Sequence, residues 1–403
     1  MLKVLKFGGT SVGTLDRIQN VANIIKKIRD EGHDVIAVVS AMSGETNKLI
    51  EYAEYYSKTP KLDEIDMLLS SGERVTSALL SIALNEMGYK AMSMSGRQAG
   101  IITDNAHTKA RIESIDTTEM KKAINDGNII IVAGFQGVAQ DTLRVSTLGR
   151  GGSDLTAVAI AGAIEADVCE IYTDVDGIYT TDPRIEPKAK KLEKISYDEM
   201  LELASLGAKV LQNRSVEMAK KLNVNLVSRS SFTPEVDGTL ITKEENIMEK
   251  PIVSGIALDK NQIRVGMYGV TDKPGIASAI FTALADANIN VDMIVQTRGL
   301  DGTTDLDFTI PTTDFEICKK VMEQFKEQAK NIDYNEAICK VSVVGVGMKS
   351  HTGVASKAFT AMANENINIR IISTSEIKIS MIVDLKYAEL AVRALHDAYE
   401  LDK

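Results

Sequence analysis

A repeated stretch in the last third of the chain constrains its fold more than any other feature. The segment IRVGMYGVTDKPGIASAIFTALADANINVDMIVQT begins at Ile263, and VSVVGVGMKSHTGVASKAFTAMANENINIRIISTS begins at Val341. Residues 275–290 align with residues 353–368 without a gap, at an offset of 78 residues. Each copy has the pattern of a strand, a glycine turn, an amphipathic helix and a strand. The repeat therefore predicts two copies of one small α+β module.

The chain before the repeat alternates strand and helix patterns. Apolar runs such as VLKFG, DVIAVVSA and DVCEIYTDV predict buried strands, and residues 17–30 carry one apolar helical stripe. Residues 65–87 are predicted to be helical with an interruption near SSGER, and NIIIVAGFQGV is predicted to be one strand. This alternation predicts an α/β fold, with a mostly parallel sheet sandwiched by helices. We expect this domain over residues 1–245, and the two α+β modules over 262–335 and 336–403.

Composition and charge exclude several classes of partner. The formal net charge of -10 argues against binding to nucleic acid or to an anionic membrane. The three cysteines show neither a metal spacing nor a disulfide pattern, so we expect a reducing, cytoplasmic environment. The first residues lack the apolar run of a signal peptide, and no later run is long enough to span a bilayer. The four histidines do not cluster in sequence, so no histidine metal site is predicted.

The motif KFGGTSVG, at residues 6–13, joins a predicted strand to a predicted helix. Its small residues leave backbone N–H groups accessible, and together with Lys6 these suit a phosphoryl group. The motif lacks the G-K-[ST] ending of a Walker loop. The alternative is a tight strand–helix turn with a serine cap. The lysine, two residues before the paired glycines, favours phosphate binding.

The motif TLGRGGSD, at residues 147–154, runs into the apolar helix pattern LTAVAIAGAIEA. The guanidinium of Arg150 can hold a carboxylate with two hydrogen bonds, and Asp154 can attract an ammonium group. Glu73, in the motif SGER at the start of another helix pattern, can join that acid. The three side chains match the two charges of an α-amino acid. The alternatives are that Asp154 or Ser153 caps its helix, and that Glu73 complements the helix dipole.

The motif YTDVDGIYTTDPR, at residues 172–184, follows a predicted strand. Tyr179 can stack on a nucleotide base, and Arg184 can meet phosphate groups. The aspartates and turn-forming residues are equally typical of a solvated loop. The residues themselves leave these two interpretations open.

The sequence suggests no Ser-His-Asp arrangement. A general base is not required, however, when a carboxylate attacks phosphorus. A substrate carboxylate is already ionised near pH 7 and can attack a phosphorus atom directly. Catalysis then depends on positioning, and on charge neutralisation by a lysine and a divalent ion.

Five motifs occur in an order that resembles the aspartokinases, within the amino-acid kinase family. They are KFGGTSV, GER, TLGRGGSD, YTDVDGIYTTDPR and GAKVL, and the resemblance covers nearly the whole chain. The repeated modules resemble ACT domains, which sense amino acids. The resemblance implies an enzyme that uses ATP and Mg²⁺ to phosphorylate the side-chain carboxylate of L-aspartate. The implied product is 4-phospho-L-aspartate, in the first step of lysine, threonine and methionine biosynthesis.

The resemblance also implies roles for individual residues. For catalysis it implies Lys6, which steadies the transferring phosphoryl group, together with Asp154. The implied ATP site comprises Lys6, Gly8, Gly9, Thr10, Thr173, Asp174, Tyr179, Arg184, Lys209 and Val210. The implied aspartate site comprises Ser40, Thr46, Glu73, Arg150, Ser153 and Asp154. Within it Arg150 pairs with the α-carboxylate, while Glu73 and Asp154 face the α-ammonium group.

One position departs from the pattern of the aspartokinases. After GAKVL the chain has Gln212 and Asn213, where many relatives have His-Pro. We expect this difference to affect packing near the nucleotide.

The pair of ACT modules implies feedback inhibition, with lysine as the first candidate effector and threonine as the second. The implied effector residues are Asp272, Gly275, Ala277, Asp292 and Gln296 in the first module, and Asn368 and Ile369 in the second. Asp292 is suited to bind an effector amine, and its alternative role is to cap a strand end. A strand near residues 251–259 is implied to complete the second module. Pairing of ACT modules across subunits implies a homodimer or a dimer of dimers.

Two other functions stay open at this point. The first is a kinase for another acceptor, such as glutamate, N-acetylglutamate or a carbamate. Glu73 and Asp154 argue against the acetylated acceptor, which has no free ammonium group. The second is a non-catalytic amino-acid sensor, against which Lys6 and the unbroken GRGGSD argue.

Overall fold

The protein is described by a computed structural model over residues 1–205, 211–247, 251–299, 302–349 and 351–403. These residues form two units. The first comprises residues 1–178, 191–204 and 211–247, and the second comprises residues 179–190, residue 205 and the described residues from 251 to 403. Among the described helices, none combines the length and the apolar character needed to cross a membrane.

The first unit alternates strands and helices. Its strands are β1 (Leu2–Phe7), β2 (Asp34–Val39), β3 (Ala91–Met94), β4 (Ile101–Thr103), β5 (Ile112–Ile115), β6 (Ile129–Ala133), β7 (Gln136–Ala139), β8 (Val145–Thr147), β9 (Val168–Thr173), β10 (Lys194–Ser196), β11 (Leu226–Ser230) and β12 (Thr239–Thr242). Its helices are α1 (Leu15–Asp30), α2 (Glu45–Tyr56), α3 (Leu62–Leu69), α4 (Ser71–Glu86), α5 (Thr118–Asn125), α6 (Gly152–Ile164), α7 (Tyr197–Ser205) and α8 (Asn213–Leu222).

The main sheet has eight strands in the order β10-β12-β11-β9-β1-β2-β6-β3. Neighbouring strands within this sheet run parallel to each other, except for β11 and β12, which are antiparallel. Helix α1 packs its isoleucine stripe onto one face, where Leu5 and Phe7 of β1 join the core. Because side chains alternate along a strand, Lys6 faces the opposite side. The predicted α/β fold, with a mostly parallel sheet sandwiched by helices, is confirmed.

The prediction of one strand over NIIIVAGFQGV is wrong, since the segment forms two strands in different sheets. Strand β6 belongs to the main sheet, and β7 belongs to a four-stranded sheet of order β5-β4-β7-β8. The chain turns at Gly134 and Phe135, and Phe135 has a left-handed φ of 69°. A Cβ atom on Gly134 would lie 2.9 Å from the side chain of Ser153, so the turn also needs a residue without one.

The second unit contains the two repeated modules. Its strands are β13 (Gly255–Asp259), β14 (Ile263–Thr271), β15 (Asp292–Arg298), β16 (Thr303–Ile310), β17 (Asn331–Asn335), β18 (Ile338–Val344), β19 (Ile371–Thr374) and β20 (Lys378–Asp384). Its helices are α9 (Ile276–Asp286), α10 (Phe315–Met322), α11 (Val354–Asn364) and α12 (Ala388–Ala398).

Each module packs two helices onto one antiparallel sheet. The sheet orders are β15-β16-β14-β17 in the first module and β13-β18-β20-β19 in the second. Helices α9 and α10 share a core with the first sheet, and α11 and α12 share a core with the second. A smaller apolar cluster, formed by Met293, Ile338, Ile371 and Ile382, connects the two modules. The α+β architecture predicted from the repeat is confirmed.

Candidate active site

The candidate site lies where β1 and β2 end and α6 begins. Ligands of open parallel sheets bind beyond the carboxyl ends of the strands, in the loops that follow. Lys6 is the second-last residue of β1 and pairs in register with Val38 of β2 and Ile171 of β9. Helix α6 packs across β1, β2 and β9, which brings its first turn to this edge.

An ion pair between Lys6 and Asp154 forms the centre of the site. The Lys6 Nζ and Asp154 Oδ1 atoms are 2.6 Å apart, and the two side chains are only 12% and 13% exposed. Asp154 lies in the first turn of α6, where the helix dipole favours a carboxylate. A Cβ atom on Gly8 would lie 3.1 Å from the Lys6 ammonium, so the glycine leaves room for that group. Lys6 and Asp154, assigned from distant motifs, are thus brought together.

Helix α6 begins without a side-chain cap. Its N-cap is Gly151, which has a left-handed φ of 71° and no side chain to accept from the first turn. The alternative in which Ser153 or Asp154 caps the helix is therefore wrong. A Cβ atom on Gly151 would lie 2.5 Å from Cδ of Gln212, so this position requires glycine for space as well as for conformation. The uncapped helix end suits a bound anion.

The loop that carries Arg150 is held by Gln212, which the sequence singled out, and by Arg214, which it did not. Gln212 Nε2 donates to the Arg150 carbonyl over 2.6 Å, and Arg214 Nη1 donates to the Leu148 carbonyl over 2.7 Å. The side chain of Arg150 is exposed and has no ion-pair partner among the described residues. Gln212 therefore packs against TLGRGGSD, and its effect on packing near the nucleotide stays an expectation.

A buried acid, Asp66, anchors the start of the same loop from α3. It is fully buried and accepts from Thr147 Oγ1 over 2.5 Å and from the Thr108 backbone N–H over 3.1 Å. His107 Nδ1 lies 2.7 Å from its other oxygen. No sequence motif links these residues, because Asp66 is separated from Thr147 by 81 positions.

Glu73 is a buried carboxyl group with one unused oxygen. It is 4% exposed in the first turn of α4, and its Oε1 atom accepts from the Ala41 backbone N–H over 3.2 Å. The Oε2 atom is buried and has no hydrogen-bond partner in the part of the chain that the structure describes. Burial raises the pKa of this carboxyl to about 7. An unpaired acceptor of this kind is typical of a site for a cationic group.

The loops after β1 and β2 lie against each other. A Cβ atom on Gly9 would lie 3.2 Å from the Ala41 carbonyl oxygen, and the Ser40 N–H donates to the Phe7 carbonyl over 3.1 Å. The remaining predicted residues of these loops and of α6 are placed as follows: Ser40 and Thr46 are half-buried, Thr46 is in the first turn of α2, Thr10 is exposed, and Ser153 is buried.

The predicted nucleotide residues fall into three groups. Thr173 ends β9, where its Oγ1 atom accepts from the Val175 N–H over 3.0 Å, and Asp174 beside it is exposed. Tyr179 and Arg184 belong to the second unit, where Arg184 is 90% exposed and pairs with Asp182 over 2.7 Å. Two further predicted residues, Lys209 and Val210, lie outside the described residues.

The predicted effector residues of the first module lie around β15 and the start of α9. Gly275 is the N-cap of α9, Ala277 is in its first turn, and Gln296 is on β15. Asp272 forms an ion pair with Arg298, with 3.7 Å between Oδ2 and Nε. In the second module Asn368 is exposed and Ile369 packs against the core.

Asp292 has a partner that the sequence did not reveal. Its Oδ1 atom accepts from the Met293 N–H over 2.9 Å, as a strand-end acid does. Its Oδ2 atom forms an ion pair with the ammonium group of Lys340, which is 4% exposed on β18. The pair connects the two modules, and an amine that binds Asp292 must compete with Lys340.

Comparisons with known proteins agree with this architecture. The amino acid kinase family matches residues 1–227, and ACT domains match residues 264–330 and 341–399. An aspartokinase from Helicobacter pylori is 59% identical over 100% of both chains. An aspartokinase from Pseudomonas aeruginosa is 54% identical over 100% of this chain and 98% of its own.

Two solved structures have the same fold. Both are of E. coli aspartokinase III, and both are 26% identical to this chain. The complex with aspartate and ADP, in the R-state, has a TM-score of 0.82 and covers 99% of each chain. The complex with lysine and aspartate, in the T-state, has a TM-score of 0.81 and covers 98% of this chain and 99% of that one.

Proposed function

The chain belongs to the aspartokinase family and is an aspartate kinase, and we propose that the residues around the Lys6–Asp154 pair bind its substrates and carry its chemistry. The reaction transfers a phosphoryl group from ATP to the side-chain carboxylate of L-aspartate. The observation that carries the assignment is the buried Oε2 atom of Glu73, which has no hydrogen-bond partner among the described residues, on a side chain whose Oε1 atom contacts the loop after β2. The relative with bound aspartate and ADP supports both ligands.

Aspartate is proposed to bind through its two backbone charges. The guanidinium of Arg150, which has no ion-pair partner among the described residues, receives the α-carboxylate. Glu73 and Asp154 receive the α-ammonium group. This group replaces the missing donor at Glu73 and competes with Lys6 for Asp154. Substrate binding would therefore release the Lys6 ammonium from its carboxylate partner.

The released ammonium is proposed to act on the transferring phosphoryl group. The side-chain carboxylate of aspartate is ionised at neutral pH, so its oxygen attacks the γ-phosphorus without a general base. As the new O–P bond forms, the bond to the β-phosphate oxygen of ATP breaks and ADP leaves. Lys6 stabilises the negative charge on the phosphoryl oxygens. Gly8 and Gly9 let the phosphate approach the backbone closely.

Mg²⁺ is proposed to enter with ATP. The ion binds mainly through phosphate oxygens and takes one or two carboxylates from the protein. The exposed carboxylate of Asp174, at the end of β9, is a ligand of the type that Mg²⁺ accepts. When bound, the ion neutralises charge on the β- and γ-phosphates.

A pH dependence of aspartate binding is the first test of these roles. Below about pH 7 Glu73 is neutral in the free enzyme, and above it the ionised form can pair with the ammonium group. We therefore expect kcat/KM for aspartate to rise by up to about tenfold per pH unit below that pKa, and then to level off. Glu73→Gln should lower kcat/KM and remove this rise. A profile of the same shape in Glu73→Gln would contradict the assignment.

We also propose that lysine is the feedback inhibitor and that its amine binds Asp292. The relative crystallised with lysine supports this choice, and threonine is the alternative effector. Asp292→Asn should raise the lysine concentration for half-inhibition by about tenfold or more, since one charge-assisted contact is lost. Asp286→Asn, which removes an exposed acid at the end of α9, is the matched control.

Assays with lysine, threonine and the two together decide the effector. If threonine inhibited the enzyme and lysine did not, threonine would be the effector and the proposal for lysine would be wrong. Equal inhibition of Asp292→Asn and wild type by lysine would remove Asp292 from the effector site. Thermal unfolding is measured alongside, because Asp292→Asn leaves the buried Lys340 ammonium without its carboxylate.

A homodimer or a dimer of dimers is proposed to form through the ACT modules. Strand β15 ends the first sheet and strand β19 ends the second, and among the described residues neither is paired with another strand on its outer side. Ile294 on β15 is 53% exposed, and Ile372 on β19 is 44% exposed. Apolar side chains on open edge strands favour pairing with another subunit. Light scattering after size-exclusion chromatography measures the oligomeric state.

A further inference from the structure

The segment 179–190 is bound to the second ACT module. The Ile256 N–H on β13 donates to the Thr180 carbonyl over 2.7 Å. Thr180 Oγ1 lies 3.0 Å from His396 Nε2 on α12, and it also accepts from the Lys190 N–H over 3.0 Å. Ile185 packs against the core of the module. This segment and α12 therefore form one local structure within the second unit.

Three potential metal ligands meet in this local structure. Glu186 from the segment and His396 and Asp397 from α12 each offer an atom within 4.8 Å of the other two. The side chain of His396 is fully buried and Glu186 is 4% exposed, whereas Asp397 is exposed. His396 Nδ1 is buried and has no hydrogen-bond partner among the described residues. A buried imidazole nitrogen without a partner has lost its hydrogen bonds to water and gained none from the protein. A ligand bound at that atom would compensate for this loss.

We infer that Glu186, His396 and Asp397 bind a divalent first-row transition-metal ion, with Zn²⁺ as the best match. One imidazole nitrogen and two carboxylate oxygens form a mixed N/O donor set, which suits zinc in tetrahedral geometry with water as the fourth ligand. The exposed Asp397 provides the entrance for the ion. The separation of Glu186 from His396 in the sequence explains why histidine spacing did not reveal the site.

The surroundings of His396 suit metal binding through Nδ1. With the ion at Nδ1, the proton of the neutral ring stays on Nε2 and is donated to Thr180 Oγ1, which fixes the orientation of the ring.

Lys188 contacts both carboxylates, one through its backbone N–H group and the other through its ammonium group. Its backbone N–H donates to Glu186 Oε1 over 2.9 Å, and its Nζ atom lies 3.3 Å from Asp397 Oδ1. The Lys188 side chain is 60% exposed, so it can move aside when an ion binds. A bound ion would join residues 179–190 to α12 through coordinate bonds in place of this exposed pair.

The cysteines of this unit are poor competitors for such an ion. Both are buried, and burial raises the pKa of Cys318 to about 11 and that of Cys339 to about 12. Because the thiolate is the form that binds metal, these groups stay protonated and weakly coordinating at neutral pH. Metal bound by this unit is therefore attributable to nitrogen and oxygen ligands.

Titration of the full chain with Co²⁺ tests the site directly, because Co²⁺ replaces Zn²⁺ and absorbs visible light according to its ligands. We expect one bound Co²⁺ per chain, a visible d–d spectrum that Zn²⁺ abolishes, and a higher unfolding temperature with Zn²⁺. Glu186→Gln keeps the size of the side chain and should weaken binding by about tenfold or more. Asp397→Asn, at an exposed position, should weaken it in the same direction without a risk to folding.

His33→Gln is the matched control. The Nδ1 atom of His33 is likewise buried without a hydrogen-bond partner, yet no three-ligand cluster found among the described residues includes it. Its Co²⁺ titration should equal that of wild type. The inference is overturned if wild type gives no saturable Co²⁺ spectrum, or if Glu186→Gln and Asp397→Asn both titrate like wild type.

Discussion

Lys6→Ala is expected to lower kcat by about 10²–10³-fold while changing KM for aspartate only a few-fold. The ammonium group of Lys6 is proposed to interact strongly with the phosphoryl group only as charge develops on its oxygens. In the free enzyme the same group is bound to Asp154 over 2.6 Å, so its removal also relieves competition for that carboxylate. The loss should therefore appear in turnover rather than in affinity for aspartate.

Lys3→Ala is the matched control for this experiment. Lys3 is on the same strand and pairs with the buried Glu170 over 3.2 Å, but it lies at the opposite end of β1 from the candidate site. We expect Lys3→Ala to lose little stability, because Glu170 keeps its ion pair with Arg229, and to keep kcat close to wild type. If Lys6→Ala changed kcat no more than Lys3→Ala does, Lys6 would have no role in phosphoryl transfer.

Arg150→Ala is expected to raise KM for aspartate by about 30- to 800-fold, which corresponds to about 2–4 kcal/mol. The guanidinium is exposed in the free protein and is proposed to form two hydrogen bonds to the α-carboxylate on binding. Since this contact is made in both the ground state and the transition state, kcat should change much less than KM. Steady-state kinetics with varied aspartate at saturating ATP measure both constants.

Two further variants test whether the geometry and the position of the Arg150 guanidinium matter, and not its charge alone. Arg150→Lys keeps the positive charge and loses the paired hydrogen bonds, so it should recover only part of the affinity. Arg144→Ala removes a cation just before β8, where Arg144 pairs with Asp63 over 3.1 Å, and should leave KM nearly unchanged. A wild-type KM in Arg150→Ala would show that the carboxylate binds elsewhere.

Much of the fold could be predicted from local patterns. The 78-residue repeat identified both modules, and the alternation of apolar strands and amphipathic helices identified the parallel sheet. The division of residues 129–139 into β6 and β7 could not be predicted, because the turn at Gly134 depends on contact with Ser153 from α6. A periodic apolar pattern does not encode such a long-range contact.

Only part of the candidate site could be predicted, because its other contacts join residues that are far apart in the sequence. Lys6 and Asp154 stand in glycine-rich motifs, and their motifs alone pointed to charged ligands. Gln212 reaches Arg150 across 62 positions and Lys340 reaches Asp292 across 48, so their roles arise only from folding. The pKa of Glu73 depends on burial, which a sequence pattern around one acid does not reveal.

The most direct test of the account is to trap the acyl phosphate with hydroxylamine in a reaction with ATP, Mg²⁺ and aspartate. Wild type should form aspartyl β-hydroxamate in step with ADP, because the side-chain carboxylate accepts the phosphoryl group. Lys6→Ala should form it at about 10²–10³-fold lower rate. ADP release without hydroxamate, or hydroxamate formed from glutamate but not from aspartate, would contradict the proposed site and its substrate.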